Sequence, residues 1–467
     1  MNDIKEIFSL LSNITPEDKA QIQKAYDFAY KAHDGHKRKS GEPYFNHLFG
    51  TAKNIASLNM DVPTVVAGFL HDSIEDIGVA PDLIEKEFGK EILFLVEGVT
   101  KLGKIKYHGT NRYNESLRKL FIAMSQDIRV LIVKLCDRLH NMQTLQHIPK
   151  EKQLRIAKET LEIFAPLAYR MGIKTLQREL EDLAFSYVYP KEFEEIKKIL
   201  KKKKEEVEEH LDKFEKSLKK ELAKNSITDF KMDHRVKSMY SLYKKLEKYK
   251  WDVESIYDIS ALRVTVKEVS DCYRILGIVH GAWRPLPGRI KDYIASPKLN
   301  GYRSIHTTIF TGDGGIIEVQ IRTEEMHLEA EYGVASHLSY KEGKKATNWI
   351  QELVDFQKEA GDDFLEHAKG DFFEERIFVF TPIGDVIDLP KDSSVIDFAY
   401  NIHTDIGNHM VGAKVNGKFT SITTKLQSGD RVEVETKKNA KPNKKWLESC
   451  KTTMAKRRIN SYLENNK

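Results

Sequence analysis

Residues 65–76 read VVAGFLHDSIED. The apolar start predicts a buried helix, and the adjacent His71 and Asp72 can reach one metal ion from a single turn. Glu75 stands at i+4 from His71 and Asp76 at i+4 from Asp72, so both acids are expected one turn along the same surface. Working outward, PYFNHLFGTA (43–52) offers His47 on a second helix. VLIVKLCDRLHNM (130–142) offers Asp137 on a third, with Asn141 following at i+4. A lone His on an apolar face is more often a satisfied core residue, and an Asp before Arg more often sits in a surface ion pair. Here His, His-Asp and Asp recur in order on helices with apolar neighbours, so the four read as one site. Two imidazoles and two carboxylates suit a divalent ion such as manganese, iron or zinc. Such an ion lowers the pKa of bound water and polarises a phosphoryl oxygen. Glu75 or Asp76 could orient or deprotonate that water. The expectation is metal-dependent hydrolysis of a phosphate ester.

Composition bounds the rest. At about 100–200 residues per domain, 467 residues make two to four domains. A 40% hydrophobic share is ordinary for a globular chain and argues against disorder. The 75 Lys and Arg nearly balance 70 Asp and Glu, which argues against a nucleic-acid-coating protein but leaves room for local basic pockets. The longest apolar stretches, such as 65–70, are far too short to span a bilayer. The start, MNDIKEIF, has acids and no apolar core, so it does not read as a signal peptide. Cys136, Cys272 and Cys450 are widely spaced and odd in number, which gives no disulfide framework and no zinc pattern. A reducing cytoplasm is the simplest setting, with no membrane partner.

The chain falls into zones. Residues 1–190 read as helical. Residues 191–224 are dominated by Lys and Glu, with Ile196, Leu200, Val207, Leu211 and Phe214 at roughly helical spacing, so a solvated amphipathic helical linker is expected. Residues 225–345 mix helix and strand. A buried strand is expected over 258–266, and a hairpin over 304–322 with its turn at 311–315. On its second strand Ile317, Val319 and Ile321 share one face, while Glu318, Gln320 and Arg322 share the other. A polar connecting segment, 346–375, precedes a small β-rich zone at 376–437. The basic, helix-like residues 438–467 read as the start of a further helical region.

The zone 225–345 sets Lys237, Ser241 and Lys245 at i+4 steps, Asp258 at a strand start, Arg263 within the strand and Glu318 on the hairpin. Cations that neutralise a triphosphate, two carboxylates that hold magnesium or accept a proton, and an aromatic that stacks on a base suit pyrophosphoryl transfer between nucleotides. The competing reading is a solvated basic face with structural glycines. The motifs separate the two. HDGHKRKSGEPYFNH, FLHDSIED, VKLCDRLHNM, GRIKDYIASPKLNGYRSIHT, EVQIRT and AEYGVASH appear in this order. Together they closely resemble the long RelA/SpoT homologues, bacterial synthetase-hydrolases of the alarmone (p)ppGpp. The first three also match the HD-domain phosphohydrolase pattern. The resemblance runs from about residue 20 to about 437.

This resemblance implies a multidomain α and α+β chain. It would comprise an all-helical HD-type hydrolase domain, a mixed α/β nucleotidyltransferase-like synthetase domain and a small β-grasp TGS domain. It makes His47, His71, Asp72 and Asp137 ligands of Mn2+, with Glu75 and Asp76 activating water. It puts the Arg38 guanidinium on guanine and sets Lys39, Asn141 and Thr144 near the nucleotide. That site would remove the 3′-pyrophosphate of (p)ppGpp to give GDP or GTP. In the synthetase half, Asp258 and Glu318 would be the Mg2+-associated acids. Arg235, Lys237, Lys245 and Arg263 would bind ATP, Tyr302 would stack on guanine, and Asn300 and His306 belong to the same motif. That site would move the β,γ-pyrophosphate of ATP to the 3′-oxygen of GDP or GTP. The TGS zone implies tRNA, the ribosome or a protein regulator as a partner.

Two departures stand out. This chain has His234-Arg-Val-Lys237 where the family commonly has Gly-Arg-Pro-Lys, which touches the strength of the synthetase. Long members also continue past the TGS domain, so a shortened chain is expected. The basic tetrad Arg289-Ile-Lys-Asp292 and the intact HD set go with bifunctional members. The alternatives are a hydrolase with a silent, nucleotide-sensing synthetase half and a regulatory binder acting through the TGS zone. Opposed reactions in one chain predict mutual inhibition carried by the region 150–224.

Overall fold

The computed structural model describes residues 3–100, 122–253, 255–256, 258–298, 300–312, 314–335, 370–371 and 376–465, without the side chains of 204–207. Most of the connecting segment 346–375 therefore lies outside the described residues. The chain divides into two compact units.

The first unit opens with helices. These are α1 (Ile4–Leu10), α2 (Pro16–Ala32), α3 (Phe45–Ser57), α4 (Val62–Leu70), α5 (Pro81–Phe88), α6 (Lys90–Thr100), α7 (Arg129–Gln143), α8 (Lys150–Glu159), α9 (Ala165–Arg170) and α10 (Lys174–Val188). Helix α2 starts on a Thr15/Asp18 capping box with Pro16 in its first turn. Every residue of α4 from Thr64 to Leu70 is buried, which makes it the central helix, clasped by α2, α3, α6 and α7. The buried Arg129 at the start of α7 reaches Asp61, the N-cap of α4, at 2.7 Å, Glu91 of α6 at 2.9 Å and Asp127 at 2.6 Å.

One local expectation fails. Helix α4 ends at Leu70, so the HDSIED residues are not on it. The His71 ring caps the helix by pairing Nδ1 with the Gly68 carbonyl at 2.8 Å, and the chain continues in turns (Asp76 N–H to Asp72 O, 2.9 Å). His71 and Asp72 therefore meet through a turn, and Glu75 and Asp76 are exposed.

Helix α11 (Pro190–Lys224) leads into the mixed part: β1 (Lys231–Val236), α12 (Met239–Lys248), β2 (Ser260–Val266), α13 (Val269–Ala282), β3 (Lys291–Asp292), β4 (Ile305–Phe310), β5 (Ile316–Thr323) and α14 (Glu324–Tyr332). The sheet order is β1-β2-β5-β4-β3, with β2 and β5 parallel and the other pairs antiparallel. Asp258 lies two residues ahead of β2, so it belongs to the approach to the strand. Ile317, Val319 and Ile321 join one core with Leu262, Val264, Ile305 and α13. Leu211, Phe214, Leu218 and Leu222 of α11 enter that same core. The Lys/Glu helix is thus solvated on one side only, and its C-terminal half is part of the sheet's packing.

The second unit pairs β6 (Arg376–Phe380) with β7 (Val386–Pro390) and orders β8 (Met410–Val415), β9 (Lys418–Thr420) and β10 (Val432–Thr436) as β10-β8-β9. Helix α15 (Val395–Ile402) packs against β7 and β10, and α16 (Thr404–Asn408) follows it. The last helices, α17 (Trp446–Ser449) and α18 (Thr453–Asn465), put Trp446, Ala455 and Ile459 into the same core as Val379, Phe398 and Val432. Buried Asp397 fixes them, accepting from Thr452 N–H and Oγ1 at 2.8 Å. Residues 446–465 therefore close the core of this unit.

Candidate metal centre and nucleotide pocket

His47 comes from α3, His71 and Asp72 from the turn after α4, and Asp137 from α7. His47 Nε2 is 3.4 Å from Asp72 Oδ2 and 3.3 Å from Asp137 Oδ1. His71 Nε2 is 3.1 Å from Asp72 Oδ2 and 3.8 Å from Asp137 Oδ1. Donor atoms of His47, His71 and Asp137 all lie within 4.8 Å of one another. His71 Nε2 is buried and faces the carboxylates of Asp72 and Asp137, while its Nδ1 is occupied by Gly68. A buried imidazole fixed through one nitrogen and turned toward carboxylates with the other is how a histidine is set to ligate a metal. The residues present fit a divalent ion.

Supporting groups fix the acids. Tyr44 Oη donates to Asp72 Oδ2 at 2.8 Å. Lys134 reaches Asp137 Oδ2 at 2.7 Å, leaving Oδ1 toward the histidines. Burial opposes ionisation of Asp137, but Lys134 and the two imidazoles override it and hold its carboxyl far below the usual range. Burial likewise opposes ionisation of Asp72, which His71 and His47 keep well below it. Asn141 Nδ2 donates to Asp137 Oδ1 at 2.6 Å, and its Oδ1 accepts from Arg38 at 2.5 Å. Arg38 also donates to Thr144 at 2.8 Å. Arg38, Asn141 and Thr144 thus form one chain leading to the metal centre. Lys39 is exposed and outside it.

Sequence reasoning missed Tyr44, Lys134 and His140. The His140 ring sits 3.0 Å from His47 Nδ1, and burial, with His47 and Arg38 adding to it, pushes it down to about 3. Gly50 makes this approach possible, since a Cβ there would overlap the His140 ring. All three lie inside the quoted motifs, and Lys134 stands at i−3 from Asp137, so helical spacing was the available signal.

The second site is a cavity of about 210 Å³ on the polar face of the sheet. Asp258, Glu318, Lys237, Arg235, Tyr302 and His306 line it, as the sequence led one to expect. Asp258 is held by Lys237 at 2.7 Å and Lys245 at 2.6 Å. Burial opposes its ionisation, but the two lysines hold it down at about 2. Glu318 Oε1 meets His306 Nδ1 at 2.8 Å, and His306 Nε2 meets Tyr302 Oη at 2.7 Å. Burial pushes the His306 ring below its ordinary value. It opposes ionisation of Glu318, which His306 and Gln320 still keep below the usual carboxylate range. Arg263 is not brought into the lining; it pairs with Asp233 at 2.5 Å and Glu331 at 3.3 Å. Asn300 accepts from Tyr302 N–H at 3.3 Å and shapes the loop. Gln320, Lys291, Tyr293 and Lys298 also line the cavity; Gln320 was visible in the strand alternation.

The altered lead-in does not displace the cations. On β1, Arg235 donates to Gln320 at 3.1 Å, while the His234 ring turns to Glu215 of α11 at 2.8 Å. Asp212, Glu215 and His234 also bring donor atoms within 4.8 Å of one another, but Glu215 is already held by Lys219 at 2.5 Å as well.

An HD-domain model matches residues 25–174, the region found in RelA/SpoT proteins matches 234–345, and a TGS-domain model matches 377–436. The chain is 43% identical over 468 residues to guanosine-3′,5′-bis(diphosphate) 3′-pyrophosphohydrolase of Aquifex aeolicus, covering 98% of this chain and 67% of that one. The chain belongs to the RelA/SpoT family. It is 44% identical over 456 residues to the GTP pyrophosphokinase of Myxococcus xanthus (95% and 60% covered). It is 41% identical over 468 residues to the bifunctional (p)ppGpp synthase/hydrolase SpoT of Escherichia coli K12 (98% and 66% covered). The chain therefore spans about two thirds or less of the length of these RelA/SpoT relatives. Among the described residues no helix is long and apolar enough to cross a membrane.

Proposed function

We propose that this RelA/SpoT protein is a bifunctional (p)ppGpp enzyme. The metal centre removes the 3′-pyrophosphate of (p)ppGpp to give GDP or GTP, and the sheet pocket transfers pyrophosphate from ATP to the 3′-hydroxyl of GDP or GTP. The observation that carries the hydrolase reading is the convergence of His47, His71, Asp72 and Asp137, with the buried His71 Nε2 turned toward both carboxylates. Mn2+ would be held by these four and would supply a water acidified for attack at neutral pH. Tyr44 and Lys134 keep the two carboxylates ionised and aimed. Glu75 and Asp76, exposed beside the centre, accept the water's proton. Arg38 presents its guanidinium to guanine, oriented by Asn141 and Thr144.

In the pocket, Asp258 and Glu318 would hold Mg2+, which neutralises charge on the phosphates in transfer. Lys237 and Lys245, paired with Asp258 in the free protein, exchange that partner for the ATP phosphates. Glu318 is ionised at neutral pH and positioned by His306, so it accepts the proton of the acceptor 3′-hydroxyl. Tyr302 stacks on the guanine. The placement of Arg235 and Lys237 toward the cavity, despite His234 and Val236, favours an active synthetase over a silent one. Three buried free cysteines suit a reducing cytoplasm. The TGS zone is assigned to a tRNA, ribosomal or protein regulator.

The test uses the purified chain with ATP, GDP and Mg2+, and separately with ppGpp and Mn2+. Asp72→Ala should remove only hydrolysis, and Asp258→Ala only synthesis. Loss of both activities from either change, with the fold intact, would sink the assignment.

A further inference from the structure

Among the cavity-lining residues one comes from outside the sheet part. Lys174 is the first residue of α10, a helix of the N-terminal helical part, yet it lines the pocket with Asp258, Tyr302 and Glu318. Its Nζ stands 4.7 Å from the centre of the Tyr302 ring. Among the described residues no carboxylate lies at ion-pair distance from it. Burial, with Arg235 and Arg322 adding to it, holds its pKa well below the ordinary lysine value.

The position is built. Gly172 and Gly333 meet backbone to backbone, and Val334 N–H donates to the Met171 carbonyl at 3.0 Å. Thr175 Oγ1 donates to the Glu331 carbonyl at 2.9 Å, and Arg178 reaches the Glu331 carboxylate at 2.5 Å. These contacts lock the first turn of α10 to α14, so Lys174 reaches the pocket from a fixed base.

Positive charge around Tyr302 is in surplus. Lys298 lies 5.2 Å from the ring centre and Arg322 lies 5.9 Å from it. Arg322 is 1% exposed, and among the described residues its Nε and Nη1 have no partner. The nearby acids are committed, Glu318 to His306 and Glu331 to Arg178 and Arg263. Buried cations without counter-ions are costly unless a ligand brings the negative charge. Lys237 and Lys245 stand at the other end, on Asp258.

We infer that Lys174 is an acceptor-binding residue of the synthetase pocket, supplied by the helical half: it covers the Tyr302 ring in the free protein and engages the 5′-phosphates of GDP or GTP when guanine takes that ring. This rests on the reading of the pocket as a pyrophosphate-transfer site. It gives α10 a direct stake in substrate binding. Nothing in the sequence motifs pointed to Lys174, because it precedes the synthetase zone by some fifty positions.

The experiment is calorimetric titration of the full chain with GDP, with guanosine and with ATP, in the native protein, Lys174→Met and Lys174→Arg. Loss of one charge-assisted contact should weaken GDP roughly tenfold or more in the Met variant. The Arg variant should stay close to native. Guanosine carries no phosphate, so its affinity should hold or improve in the Met variant, and ATP should be unaffected. Equal GDP affinity in Lys174→Met and native protein would overturn the inference. So would parallel weakening of GDP and guanosine, which would mark a merely structural role. In both cases (p)ppGpp formation by the native chain would leave the synthetase reading standing. Native protein that binds no GDP and forms no product would remove both.

Discussion

At the scale of single residues, each carboxylate of the two candidate sites is defined by what holds it. Tyr44 donates to Asp72 and its hydroxyl also faces Asp76, so Tyr44→Phe removes the hydroxyl that both acids share and leaves the ring. The expected outcome is a 10–100-fold loss of Mn2+ affinity or hydrolysis rate, as for other supports of metal ligands, with synthesis unchanged. Titration of Mn2+ against hydrolysis rate checks it. Lys298 gives a pH signature. Burial first, then Lys291 and Arg235, bring its pKa down to about 8, with Glu318 opposing. A lysine so placed is charged below that pH and neutral above it. A bound phosphate stabilises the charged form and raises that pKa in the complex. GDP affinity should therefore be flat near neutrality, begin to fall as pH passes about 8, and level off once the bound lysine has also lost its proton. Calorimetry from pH 7 upward tests this, and Lys298→Met should flatten the profile.

At the scale of elements, close approach and buried charge decide the packing. Gly333 has φ +53°, and a Cβ there would overlap the Met171 carbonyl and the Gly172 backbone. Gly333→Ala should cost about 1–3 kcal/mol from the backbone conformation, and the overlap adds to it. Urea unfolding would register the loss. Because the same junction anchors Lys174, GDP affinity should fall with it. Arg129 ties α7 to α4 and α6 through Asp61, Asp127 and Glu91. Arg129→Met takes the guanidinium from Asp127, which is buried, and should destabilise the helical part by about 3–5 kcal/mol. A large drop in melting temperature is the expected reading; a shift within error would show that water compensates the acids.

At the scale of the molecule, α10 touches both candidate sites. It packs on α7, which carries Asp137, and its first residue lies in the pocket with Asp258 and Glu318. A displacement of α10 on nucleotide binding would be felt at the metal centre, within the region 150–224 expected to couple the two reactions. With ATP, GDP and ppGpp all saturating, synthesis and hydrolysis should not both run at the rates measured separately. Simultaneous full rates of product formation, followed by chromatography, would exclude the coupling.

The sequence alone picked out the four residues that converge in the helical part, the order of a helical part, a mixed sheet part and a small β-rich part, and the two acids that line the pocket. These are local signals: residue type, helical spacing and strand alternation on one stretch of chain. The alternation of Glu318, Gln320 and Arg322 against Ile317, Val319 and Ile321 separated pocket from core without coordinates. Tertiary structure decided the rest. The end of α4 at Leu70 depends on a ring closing back on a carbonyl. Arg38 finds Thr144 across 106 positions. Arg263, read as a nucleotide ligand, is taken by Asp233 and Glu331. Lys174 enters the pocket only because two glycine backbones meet. Each is a through-space competition for a partner, and no periodicity along the chain records which partner wins.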